Sequence, residues 1–328
     1  MSDTLSVGEF PLVRIPSLSK RWQVLPCLAA LLLGSWSCMS RGKTPGSTQE
    51  DVLSKMTPFV GQPLEASGIT SVAGTDGVLI VDNGRNGQVF WMQLDESGKQ
   101  SGAIKAIDLG VNIEDVEGIT TDGTDFYVVS SQSRPKAIAG VGLVRFKFNA
   151  RTQTVENVEV ISGLKKFLVD NVAELREQGD RKNKDGGVNI EGLAWDPKQS
   201  RLLVGLRSPI IDGHALVAPL KLRDSRGSFS IENLQVEGSK AIRLSLGGLG
   251  IRGIEYDGHA NAFRVISGAA EDQQITDFGL WEWNGRDKPR ETNKFDKTLK
   301  PEGVARVTTG KRDFTMVVFD AGGYVILD

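Results

Sequence analysis

The sequence predicts an all-β fold, a β-propeller of five blades, on three observations. A strand–turn–strand unit with a glycine near its start recurs five times along the 328-residue chain. Each copy is followed by a third strand-like run, and several by a fourth. The composition holds 38 glycines against 12 prolines, which suits a chain full of tight turns. Four short antiparallel strands per unit, repeated at intervals of this size, is the makeup of a propeller blade.

Taken from the N-terminus, residues 1–38 read as a signal peptide. Lys20 and Arg21 precede the apolar run Val24 to Leu33. A basic flank before a short apolar core is the pattern of a secretory leader, and the run is too short to span a bilayer comfortably. Cys38 follows in Gly34-Ser35-Trp36-Ser37-Cys38-Met39, which is similar to a bacterial lipoprotein cleavage site. Lipidation of Cys38 is therefore expected, with simple cleavage as the alternative. The expected location is the periplasm or cell envelope as a lipoprotein, or alternatively outside the cell as a soluble protein. Membrane contact would run only through the N-terminal lipid. Beyond Cys38 there is no cysteine, so no disulfide framework supports the mature chain. Residues 39–52 are polar and hold Gly, Pro, Ser and Thr, as a flexible linker does.

The propeller is expected over residues 53–328. Its unit glycines are Gly68, Gly118, Gly192, Gly253 and Gly303, spaced by 50, 74, 61 and 50 residues. The fullest copy runs from Asn189 to Pro197 and continues from Arg201 to Pro209. Third strands are expected at Val89–Met92, Leu143–Phe148, Ala215–Val217, Leu280–Trp283 and Tyr324–Leu327, all apolar or alternating runs bounded by turn residues. Outer strands are expected at Ile104–Leu109, Val155–Ile161 and Ala241–Leu246. The last unit stops after its third strand, and Pro58-Phe59-Val60 is expected to supply the missing one and so close two exposed sheet edges. Six blades is the alternative count, with Ser228 to Val236 as a divergent unit. Leu164, Phe167, Leu168, Val172 and Leu175 recur at helical spacing. They place a helical insert at about 163–186, covering the rim or acting as a lid.

Charge narrows the function. There are 39 Lys and Arg against 41 Asp and Glu, a net charge of -2, so no nucleic-acid partner is expected. Only 2 histidines are present, which leaves little from which to build a zinc site or a Ser-His-Asp triad. A monomer is expected.

In a propeller the first strand of each blade lines the central channel. The links between second and third strands emerge on one face, and here they are the varied, charged ones. Function is expected on that face, since loops on a rigid scaffold carry it. The residues ahead of the unit glycines, Ser67, Glu117, Glu191, Arg252 and Glu302, enter the channel there. Asp115 and Asn189 lie two places before Glu117 and Glu191, on the same side of their strands. Converging carboxylates need a counter-charge. Either Glu117, Glu191 and Glu302 pair with Arg252 and Arg207, or they hold Ca²⁺ or a similar hard cation.

Asn189 to Pro197 with Leu202 to Pro209, Gly250 to Tyr256, and Pro301-Glu302-Gly303-Val304 resemble the signatures of the bacterial propeller family known as domain of unknown function 3616. The resemblance covers about Leu64 to Asp328. It implies a β-propeller and leaves the biochemical role open. A more distant similarity runs to esterase-like phytases and to calcium-dependent lactonases of the gluconolactonase type, which use acidic channel residues with a metal. Ser67 and Arg252 stand where two of the five acids would be. Two readings follow. In the first, the chain is an exported propeller that binds a small anionic ligand or a protein on its polar face through Arg207, Arg252 and Asn189. In the second, it is a Ca²⁺-type hydrolase of phosphate esters or lactones. There Glu117, Glu191 and Glu302 would ligate the metal, and Asp82 or Asp320 would act as base.

Overall fold

The computed structural model describes residues 56–271 and 276–328. The expected signal peptide, the linker and the lipidated Cys38 lie outside the described residues.

Five antiparallel sheets form the five blades. The innermost strands are Ala66–Ser71, Val116–Thr121, Asn189–Asp196, Gly250–Asp257 and Pro301–Thr309. Each is followed outward by two further strands, such as Gly77–Asp82 and Gln88–Gln93 in blade one. Outer strands run over Lys105–Asp108 in blade one, Thr154–Ser162 in blade two and Arg290–Phe295 in blade four. Blade five takes its outer strand from the other end of the described chain. Thr57 pairs with Tyr324 and Pro58 with Gly323. Phe59 stacks on Tyr324, with ring centroids 5.8 Å apart.

Ser228 to Val236 makes no sixth blade. It contributes Leu234–Val236 to the outer edge of blade three, pairing with Ala215–Leu222, and Ile242–Leu244 pairs with the same strand further along. The count is five.

The core is divided among the five contacts between neighbouring blades. Ile69, Ile80 and Phe90 of blade one pack with Phe314, Met316 and Val318 of blade five. The other four contacts repeat the arrangement. Middle strands are covered on both faces, which is why Val78 to Val81 reads as an unbroken apolar run rather than an alternation. Each such side chain contributes about 1.5–3 kcal/mol when fully buried. The insert after blade two holds an α-helix over Leu164–Asn171 and a 3₁₀ turn over Ala173–Gln178. Leu164, Leu168, Val172 and Leu175 join the core between blades two and three. A shorter helix spans Pro135–Ala139, between the second and third strands of blade two.

One local device positions everything at the channel mouth. The register of every innermost strand breaks at the step into its unit glycine: between Ala66 and Gly68, Val116 and Gly118, Ile190 and Gly192, Ile251 and Gly253, and Pro301 and Gly303. The residue left out of the ladder is Ser67, Glu117, Glu191, Arg252 or Glu302. A β-bulge frees one residue from pairing and re-aims its side chain, and here all five line the axis. The glycines then let the strands close. A Cβ on Gly303 would lie 2.9 Å from Gly68 Cα, and one on Gly253 would lie 2.2 Å from Glu302 O. Below them Ile69, Ile119, Leu193, Ile254 and Val304 border a gap of only about 10 Å³. That is room for one water at most, so the channel is plugged by hydrocarbon.

Candidate functional site

Above the plug the channel opens into a cavity of about 760 Å³ on the face of the varied loops. Its floor is polar and buried. Arg252, from blade four, donates through Nε to Glu302 Oε2 at 2.8 Å and through Nη2 to Glu302 Oε1, a two-pronged pair between blades four and five. The same Nε lies 3.1 Å from Glu191 Oε2. Arg207, at the end of the second strand of blade three, donates through Nη1 to Glu191 Oε1 at 3.1 Å and through Nε to Ala269 O at 2.9 Å. Asn189 Nδ2 also donates to Glu191 Oε1, at 3.1 Å. Burial opposes the charge on Arg252, but Glu191 and Glu302 overcome it and hold the guanidinium firmly protonated.

Glu117 stands apart from this network. No hydrogen bond reaches its carboxyl among the described residues, although it lines the cavity. Burial, then the neighbouring charges of Glu191, Asp115 and Glu302, push it well above the ordinary carboxylate range, with Arg252 opposing. Both effects favour its neutral form, which could donate a hydrogen bond. Burial lifts Glu302 to about 7, against the pull of Arg252.

Asp115 enters beside Glu117 with its backbone in the left-handed region, at φ 56°. Its Oδ2 accepts from Ser131 Oγ, and from Ser133 Oγ at 3.4 Å. Its Oδ1 lies 3.1 Å from Arg134 Nη1. On the far wall Lys297, Thr298 and Lys300 face the cavity, and Lys300 Nζ donates to Asp320 Oδ2 at 2.9 Å.

The fold thus brings together Glu117, Glu191, Glu302, Arg252, Arg207 and Asn189, with Asp320 at the rim. Asp82 lies elsewhere. Its two oxygens accept from Glu65 N at 2.9 Å and Gly84 N at 2.8 Å, which ties down the loops around it. Burial raises its pKa while those N–H groups lower it. Arg252 bridges Glu191 and Glu302 where a shared ion would sit. Among the described residues no group of three or more His, Cys, Asp or Glu side chains is arranged to hold a metal. The donor set Glu117, Glu191 and Glu302 does not fit a hard cation.

Lys297, Lys300 and Arg134 were not singled out from sequence. Lys300 sits directly ahead of the Pro301-Glu302-Gly303 step, which was the available signal. Arg134 lies in a loop whose path the sequence does not encode in any periodic way.

The family model for a protein of unknown function (DUF3616) matches residues 152–321, just over half of the chain. The chain belongs to this family. No curated protein matches this DUF3616 chain. Among solved structures it is similar to the PQQ domain of pyranose dehydrogenase from Coprinopsis cinerea, at 13% identity and a TM-score of 0.47, over 83% of this chain and 94% of that one. It is also similar to the glutaminyl cyclase of Myxococcus xanthus, at 13% and 0.42, over 83% and 92%. The periplasmic gluconolactonase of Pseudomonas aeruginosa gives 12% and 0.40, over 80% and 71%. These likenesses are weak and concern the path of the chain alone.

Proposed function

We propose that this DUF3616 propeller is a binding protein for a small polar molecule with an anionic group, held in the cavity at the channel mouth. One observation carries the reading. A cavity of ligand size, about 760 Å³, has a rigid charged floor and a wall bearing the exposed ammonium side chains of Lys297 and Lys300, the latter paired with Asp320 at the rim. Beneath them neither guanidinium is mobile: Arg252 is held between Glu191 and Glu302, and Arg207 between Glu191 and the carbonyl of Ala269. Ammonium groups at a rim attract an anion and tolerate variation in its shape.

The test is calorimetric titration of the full chain with butyrate, citrate and inorganic phosphate. At least one is expected to bind. The double substitution Lys297→Ala, Lys300→Ala is expected to weaken that binding tenfold or more with little change in melting temperature, since both side chains are at the rim. Unchanged affinity in that variant, or no binding of any of the three, rules the reading out.

A further inference from the structure

The cavity wall opposite Lys297 and Lys300 has a different chemistry. Four residues from two neighbouring blades compose it: Asp115 and Glu117 at the start of one innermost strand, Asn189 and Glu191 at the start of the next. All four are buried. Three of their oxygens, Asp115 Oδ1, Asn189 Oδ1 and Glu191 Oε2, accept no hydrogen bond. Asn189 is 2% exposed and spends its amide nitrogen on Glu191, so its carbonyl oxygen is left buried at the edge of the cavity with nothing to accept among the described residues. An unmade hydrogen bond at a buried acceptor costs about 1–3 kcal/mol; Asp115 Oδ1 and Glu191 Oε2 offset it with an ion pair, and Asn189 Oδ1 does not. Such an arrangement is complete only when a donor enters.

The charge of that donor follows from what now touches the wall. Asp115 Oδ1 and Glu191 Oε2 each have a guanidinium nitrogen at 3.1 Å without a hydrogen bond to it. Arg252 is only 12% exposed and is held in place by two carboxylates. Arg134 is different: its side chain is 71% exposed, yet it reaches in to an aspartate that is 4% exposed. It pairs with the wall as a nitrogen cation arriving from solvent would. A metal ion is the other cation to weigh, but no metal-holding group of acids exists among the described residues. N–H donors bind at longer range and with fewer demands on ligand number, and the carbonyl of Asn189 suits them.

We infer that the wall of Asp115, Glu117, Asn189 and Glu191 is a recognition site for a protonated amine, with Arg134 as its displaceable occupant. Resting on the anion-binding reading above, this makes the ligand a small zwitterion, its ammonium group on blades two and three and its anionic group at Lys297 and Lys300.

The experiment compares four probes on the full chain by calorimetry: butyrate, n-butylammonium, γ-aminobutyrate and Ca²⁺. γ-Aminobutyrate is expected to bind at least tenfold more tightly than butyrate, and Ca²⁺ to bind no better than Na⁺. Arg134→Ala removes an exposed side chain and leaves the core intact. It is expected to tighten γ-aminobutyrate and n-butylammonium several-fold by vacating Asp115. Equal affinity for butyrate and γ-aminobutyrate overturns the amine site while leaving the anion site standing. Binding of n-butylammonium alone does the reverse. Weaker amine binding in Arg134→Ala, tight Ca²⁺ binding, or no binding of either amine also overturns the amine site.

Discussion

Glu255 gives the sharpest test of how the channel is built. It projects from the innermost strand of blade four below the apolar plug and reaches two blades that are not its neighbours. Thr70 Oγ1 of blade one donates to its Oε1 at 2.8 Å, and Thr120 Oγ1 of blade two donates to its Oε2 at 2.8 Å. Burial lifts its pKa from 4.5 to about 8, with the two hydroxyls pulling the other way. A raised carboxyl pKa means that the folded chain holds a proton which the unfolded chain has released. Stability is therefore highest below the unfolded value and falls as pH rises through the window from about 4.5 to about 8. Within it the slope from this group approaches about 1.4 kcal/mol per pH unit, and between pH 5 and pH 8 it removes about 3–4 kcal/mol. Glu302 and Glu117 add slopes of the same sign, so the informative quantity is a difference. Glu255→Gln keeps the shape and removes the titration. Urea unfolding of both proteins at intervals from pH 5 to pH 8.5 should show the variant gaining on the parent by that amount as pH rises. Parallel stability curves would refute the assignment of a neutral, axis-spanning acid.

Two further outcomes follow from the channel floor and the glycine ring. Arg252→Gln leaves Glu191 and Glu302 buried without their shared cation, and a loss of about 3–5 kcal/mol is expected. A double variant that adds Glu302→Gln should lose less than the sum of the two single changes, read from denaturant midpoints in a double-mutant cycle. Gly253→Ala places a methyl 2.2 Å from Glu302 O and should destabilise by several kcal/mol, whereas Gly310→Ala, with nothing within 4 Å, should change the midpoint within about 0.5 kcal/mol.

The fold was legible because a propeller writes itself as repetition. The five glycines mark the five places where innermost strands nearly touch, and the residue before each one reaches the channel through a bulge. Pro58 was readable as the closing strand because the last unit lacked one. Ser228 to Val236 was ambiguous because a split outer edge and a degenerate blade share the same short apolar runs. The site was legible as far as the bulge position carried it: Glu117, Glu191, Arg252 and Glu302 meet as their common place in the unit demands. Asp82 shows where that reasoning stops. It ends a second strand next to a charged loop, as a cavity residue would, yet backbone N–H groups claim both of its oxygens. Which neighbour satisfies an acid is decided by loop path, and loop path has no period. Glu255 did leave a trace. Its place in the unit is filled elsewhere by Thr70, Thr120, Ala194 and Ala305, so one acid among small residues marked an unusual point on the axis.

The bulge also separates what the scaffold needs from what the ligand needs. A residue outside the hydrogen-bond ladder can change without breaking a rung, and only its side-chain partners, such as Val116 O for Ser67 Oγ or Glu302 for Arg252, are then at stake. The five sockets already hold a hydroxyl, three acids and a guanidinium on one unaltered backbone pattern, while the glycine beside each is locked by its contacts. Selection, or a designer, can thus rewrite the inner surface without touching the ladder, provided that side chains paired across blades, as Arg252 is with Glu191 and Glu302, change together. Proteins sharing this ring of glycines can differ widely in what they hold, and the five residues ahead of those glycines are the first place to read the difference.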